Sequence, residues 1–188
     1  MSCTLRTAGA DARGTILLKP WMLAVGPIAL GCAAPLAAEL NVPIAVRVVS
    51  FVQPSPTGLI TVAILYDPGD AASEAEAASI ERAVGSGLSV GRSVVRAHRV
   101  PVSTMGSLSG YRVAFVTAGL RTEQGSIAIA ANRASVLTIS SDRACVQTGR
   151  CVVGVTASPK VQITVNRAAA RAANIRFGSA FLMLVKEI

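Results

Sequence analysis

Cys145 and Cys151 stand six positions apart in "ACVQTGRCVV", in a chain with four cysteines. Two thiols at that spacing can cross-link, share a metal or exchange electrons. A structural zinc takes four ligands, with its cysteines commonly spaced C-x₂₋₄-C. Here five residues separate the pair, and the single histidine, His98, is far upstream. A thioredoxin-type redox pair needs C-x-x-C, which is absent. A disulfide or two buried free thiols are left, and the compartment decides between them.

Other stretches also carry reactive residue types. "GLSVG" (87–91) matches G-x-S-x-G, but a nucleophile elbow needs a strand before it and a helix after it, with an acid and then a histidine downstream. Ser89 follows a predicted helix and precedes a predicted strand, and His98 comes before Asp142. Ser89 is therefore expected in a loop, and His98 on the surface of an arginine-rich strand. Asp67 and Asp70 bracket a Pro-Gly turn and suit turn formation and capping of the following helix. No catalytic residue and no metal-ligand set emerges. No Walker A motif is present and no G-x-G-x-x-G follows a strand, so no cofactor is expected.

The elements that must position these residues follow from the hydrophobic pattern. "NVPIAVRVVSFVQPSPTG" (41–58) places Ile44, Val48, Phe51 and Val52 opposite Arg47, Ser50 and Gln53, at helical spacing, with Asn41 and Pro43 as start signals. "LITVAILYD" (59–67) reads as a strand buried on both faces, and "AASEAEAASIERAVGSG" (71–87) as a helix. "GRSVVRAHRVPV" (91–102) alternates polar and apolar residues and belongs near a sheet edge. "YRVAFVTAGL" (111–120) and "SVLTISSD" (135–142) are buried strands around a short helix at 124–133. Residues 151–167 form a hairpin around "ASPK", and "RAAARAANIRFGSAFLMLVKEI" closes the chain as helix, with Asn166 as N-cap and Asn174 in the left-handed region. Strands alternating with helices, then a hairpin, predict an α/β fold: a mainly parallel central sheet flanked by helices, with an antiparallel hairpin at the C-terminal edge.

In such sheets ligands bind beyond the C-terminal strand ends, where the strand order reverses. The candidate ligand-lining residues are therefore Tyr66, Asp67, Thr117, Gly119, Ser140 and Ser141. Glu74 and Glu76 oppose an anion at the helix that follows Asp70. Arg167 and Arg171 make an i, i+4 basic stripe and are candidate partner contacts. "GSAFLMLV" (178–185) is expected to pack in the core, with a homodimer seam as the alternative.

Residues 1–38 read as a secretory signal: Arg6, Arg13 and Lys19 precede the apolar run "WMLAVGPIALGCAAPLAA", with a cut expected after Ala38. A retained anchor and a lipoprotein signal around "ALGC" are the alternatives. All three place residues 39–188, a single expected domain, outside the cytoplasm. Cys3 and Cys32 leave with the leader, and Cys145 and Cys151 then meet an oxidising compartment, where a disulfide is expected. Closing so short a loop stabilises by roughly 2–2.5 kcal/mol in the chain-entropy model. The whole chain carries +8. Taking Arg6, Arg13, Lys19 and Asp11 from 18 basic and 10 acidic residues leaves 15 and 9, or +6. That surplus suits solubility or an acidic partner. Export and an aromatic content of 4% argue against nucleic acid.

"LTISSD", "TGR", "ITVNRAAARAANI" and "GSAFLMLVKE" follow one another as in the C-terminal part of YfiR-like periplasmic proteins, and the chain resembles that family over nearly all of residues 39–188. It departs from the pattern in its Val-rich opening helix ending in "QPSP" and in Asn174 where glycine is usual. The resemblance implies a non-enzymatic regulator that binds the periplasmic domain of a membrane signalling protein, such as a diguanylate cyclase, and holds it off, with Cys145 and Cys151 as the pair that tunes this action. "VAILYDPGDAASEAEAASIERAV" with "VAFVTAGL" is also similar to one lobe of periplasmic transporter substrate-binding proteins. That similarity implies a small-molecule-binding module for a transporter or sensor.

Overall fold

The computed structural model describes residues 40–106, 108–157 and 160–188; the leader assigned from sequence lies outside them. Chain order begins with helix α1 (Val42–Val49), strand β1 (Val52–Gln53), β2 (Gly58–Tyr66) and α2 (Ala71–Val84). A hairpin, β3 (Leu88–Val90) and β4 (Ser93–Pro101), then leads to β5 (Val113–Val116), α3 (Gln124–Ala134) and β6 (Leu137–Ser140). The chain finishes with α4 (Arg143–Gln147), β7 (Val153–Thr156), β8 (Gln162–Val165), α5 (Arg167–Ala172), β9 (Arg176–Phe177), α6 (Ser179–Leu182) and β10 (Lys186–Glu187).

Eight strands form one sheet in the order β10-β8-β7-β6-β5-β2-β4-β3. β4, β2, β5, β6 and β7 run parallel, and β3 and β8 pair antiparallel with β4 and β7. The fold is the α/β architecture expected from the alternation of strands and helices. Ile60, Val62 and Ile64 of β2 and Phe115 of β5 point to one side, into a core with Val46 of α1, Ile80 of α2, Ala170 of α5 and Phe181 of α6. Ala63, Leu65, Ala114 and Val116 point to the other, against Ile127 and Ala131 of α3 and Cys145 and Val146 of α4. Burial on both faces explains the unbroken apolar runs of β2 and β5.

Several elements depart from the sequence expectation. The closing helix is broken. Asn174 takes φ 55° as expected, and this left-handed residue ends α5. β9 then pairs with β1, Val52 opposite Phe177, so Gln53 sits in a strand and not on the first helix. α6 is one turn, Phe181 stacking on Phe51 with centroids 4.7 Å apart. Of "GSAFLMLV", Phe181 enters the core, whereas Met183 and Leu184 are more than four-fifths exposed. Ser89, expected in a loop, lies in β3: the two-residue turn at Gly91 (φ 57°) returns the chain as a hairpin. The alternating strand β4 is next to the edge, shielded by β3.

Candidate functional site

The strand order reverses between β2 and β5: from β2 the chain steps to β4 on one side, then returns to β5 on the other. The C-terminal ends of β2, β5 and β6, with the start of α2, therefore meet at one place. Asp70 caps α2, its Oδ1 accepting the Ala72 N–H at 2.9 Å. Asp67 holds the preceding turn, its Oδ1 accepting the Gly69 N–H at 2.8 Å.

A polar relay crosses this junction. The Asp67 N–H donates to Ser73 Oγ at 2.9 Å, Ser73 Oγ lies 2.6 Å from Thr117 Oγ1, and Thr117 Oγ1 donates to Leu65 O at 3.1 Å. With those directions, the Ser73 hydroxyl is the donor to Thr117. Both side chains are fully buried. Beside them lies Glu76, 9% exposed. Its Oε2 accepts the Ala118 N–H at 2.8 Å and its Oε1 accepts the Ser141 hydroxyl at 3.1 Å. Ser140 Oγ donates to Val116 O and accepts the Asp142 N–H. Gly119 packs on the α2 entry so closely that a Cβ there would sit 2.9 Å from the Ser73 Cβ and closer still to Asp70 Oδ2.

The structure thus gathers Asp67, Thr117, Gly119, Ser140 and Ser141 at one junction, where Asp67, Thr117 and Ser141 bond to α2 side chains and Gly119 packs against the start of α2. Tyr66 sits at its margin, with Arg99 Cζ 5.5 Å from the ring centroid. Among the described residues no buried side-chain nitrogen or oxygen lacks a hydrogen-bond partner. The Ala118 N–H and the Ser141 hydroxyl, two donors at the strand ends, are both met by Glu76. Sequence reasoning placed Glu76 among glutamates opposing an anion and missed its burial. The signal was available: Ser73, Glu76, Ala77, Ile80 and Val84, the buried residues of α2, recur at helical spacing, and Glu76 lies on that stripe.

Asp142 caps α4 through the Ala144 N–H at 2.9 Å and also accepts Gln124 Nε2 at 3.0 Å, with Arg121 Nε 3.6 Å away. Cys145 of α4 and Cys151 ahead of β7 are joined in a disulfide, Cα atoms 5.2 Å apart, and both are fully buried. The Arg150 and Cys151 N–H groups both donate to Cys145 O, and Gly149 at φ 72° makes the tight return. A small pocket of about 60 Å³ is lined by α4, β7, β8 and β10, with Arg143, Thr156, Thr164 and Lys186 in its wall. Arg167 and Arg171 are exposed on α5, and Arg167 Nε lies 3.2 Å from Glu187 Oε2. Ser89 lies on β3, which follows α2 and leads into β4, and His98 lies on β4. Among the described residues, no group of three or more His, Cys, Asp or Glu side chains could hold a metal ion, and no helix is long and apolar enough to cross a membrane.

An open α/β sheet, a disulfide-fastened helix after the fourth parallel strand and a switch point filled by the chain's own carboxylate define an α/β module. A family model described as YfiR/HmsC-like, DUF4154, matches residues 45–186. The chain belongs to the YfiR/HmsC-like family. Curated proteins give no match. Among solved structures, a conserved domain protein from Vibrio cholerae O1 biovar El Tor aligns with TM-score 0.61 and 13% identity, covering 79% of this chain and 60% of that one. An ABC domain in complex with L-Trp from Streptococcus pneumonia aligns with TM-score 0.53 and 12% identity, covering 78% and 58%. The chain spans about three-fifths of either structure, and at these identities the likeness concerns the fold.

Proposed function

We propose that this protein is an exported regulator: residues 1–38 direct it out of the cytoplasm, and residues 39–188 act in the periplasm as a single domain. There it binds the periplasmic part of a membrane signalling protein, such as a diguanylate cyclase, and restrains it without catalysing a reaction. The observation that carries this reading is the family match over residues 45–186. Two features support it. The Cys145–Cys151 disulfide suits an oxidising compartment. The switch point, where ligands of open α/β sheets sit, is occupied by Glu76 and its partners. Arg167 and Arg171 are candidate contacts on α5.

The test is to delete the gene in its own host and measure cellular cyclic-di-GMP. The expected result is a rise that the intact gene reverses and a variant lacking the leader does not. An unchanged level in the deletion strain overturns the reading.

A second reading, a small-molecule-binding module of a transporter or sensor, draws on the fold likeness to the L-Trp-bound domain. A thermal-shift screen of amino acids and other small metabolites separates the two, because a ligand raises the midpoint in step with its occupancy. A saturable stabilising hit favours the second reading.

A further inference from the structure

Parallel sheets have both faces covered, because their crossovers lay helices over them. One stretch of this sheet breaks that pattern. β2 and β4 pair in parallel over nine residues, from Gly58↔Ser93 to Tyr66↔Pro101. Ile60, Val62 and Ile64 of β2 and Val95 of β4 face the core shared with α1 and α2. The alternate residues face the other way. Towards the strand ends, Ala63 and Leu65 pack in the second core with Met105 and Leu108. At the strand starts, Leu59 is 59% exposed and its cross-strand partner Val94 is 39% exposed. Arg96 and His98, further along the same face of β4, are exposed as well.

The charge on this stretch has one sign. From Leu88 to Pro101 the chain has Arg92, Arg96 and Arg99 and no Asp or Glu, and β2 carries no charged residue. Arg99 is on the opposite face of β4 and pairs with Glu81 at 3.0 Å. Arg96 has no carboxylate within ion-pair distance among the described residues. Arg112, also exposed, stands next door: its backbone N–H donates to Thr61 O at 3.3 Å. A second copy of the chain docked here would set these arginines against each other. An acidic surface would neutralise them.

The geometry points to the open face of β2 and β4 as the docking surface for an acidic patch on the protein partner. Leu59 and Val94 form its apolar seat, and Arg96 and Arg112 supply its charge. The assignment rests on the regulatory reading above and gives that partner a surface chemistry. It differs from the α5 stripe, where Arg167 already has Glu187.

The experiment complements the deletion strain with wild type, Arg96→Glu, Leu59→Glu and Arg47→Glu, at matched envelope abundance and with thermal midpoints checked. Because the substituted side chains are exposed, the midpoints are expected to stay close to wild type. Wild type and Arg47→Glu, on α1 across the sheet, are expected to hold cyclic-di-GMP down. Arg96→Glu and Leu59→Glu are expected to lose restraint, in line with at least about tenfold weaker binding. If both behave as wild type, the docking face is overturned and the regulatory reading stands. If wild type itself restores no restraint, the regulatory reading falls and this assignment falls with it. Sedimentation gives the remaining arm: a wild-type dimer that Leu59→Glu dissociates assigns the face to a second copy and overturns the acidic partner.

Discussion

Glu76 brings a carboxylate to the point where open α/β folds usually receive a ligand, and two of its bonds, from the Ala118 N–H and the Ser141 hydroxyl, tie α2 to the ends of β5 and β6. Glu76→Ala strips both donors of their acceptor. Leaving buried donors unmet costs about 1–3 kcal/mol, so the urea midpoint is expected to fall, and Glu76→Gln, which retains an acceptor oxygen, is expected to fall less. Thr117→Val interrupts the relay from Asp67 N through Ser73 to Leu65 O and leaves the Ser73 proton without an acceptor. A loss of the same order is expected in the same measurement. Gly119→Ala drives a methyl group into Asp70 and Ser73 and is expected to cost about 1–3 kcal/mol as overpacking. An unchanged midpoint for Glu76→Ala would mean that the junction is not held in this way.

α4 illustrates how a short element is fixed from outside. Five residues of helix are marginal alone. Here Asp142 caps the start, the disulfide joins Cys145 to Cys151, and Asn166 Nδ2 donates to Val146 O at 2.8 Å. Reduction is expected to lower stability by roughly 2 kcal/mol, measured as a shift in the denaturation midpoint with and without reductant. Asn166→Ala removes the α5 cap at the Ala169 N–H and the tie to Val146 together, and a loss of about 1–3 kcal/mol is expected from the same titration. Elements of this kind were legible where one local signal sufficed. The buried runs of β2 and β5, the caps Asp70 and Asn166, and the left-handed Asn174 could all be read from their neighbours. The broken C-terminus could not, because β9, α6 and β10 are stabilised by non-local partners: β1, Phe51 and β8. Hydrophobicity alone assigned Met183 and Leu184 to the core, yet one turn of helix leaves them outside. At the candidate site, topology predicted which strand ends converge, but the pairing of Glu76 with Ala118 and Ser141 depends on contacts across 42 and 65 residues, which periodicity cannot supply.

On the scale of the whole molecule, charge and cover are unevenly distributed. The sheet is insulated by helices through its middle, Asp67, Asp70, Glu74, Glu76 and Glu81 lie on or beside α2, and one face of β2 and β4 is basic and open at the strand starts. A regulator that meets an acidic partner there should associate faster at low salt, since exposed charges are screened beyond about 10 Å at 0.1 M salt. The binding rate is therefore expected to fall several-fold between dilute and physiological salt, with a smaller change in dissociation. Surface plasmon resonance over a salt series reads both rates, and a salt-independent association rate would contradict an electrostatic docking face. The most direct test of the central claim, that this domain works by contact with a membrane signalling protein, is titration of purified, oxidised residues 39–188 against the periplasmic domain of a diguanylate cyclase from the same host. Saturable binding that weakens with salt and with Arg96→Glu is expected; no binding to any such domain, together with a saturable small-molecule ligand in the thermal-shift screen, would contradict it.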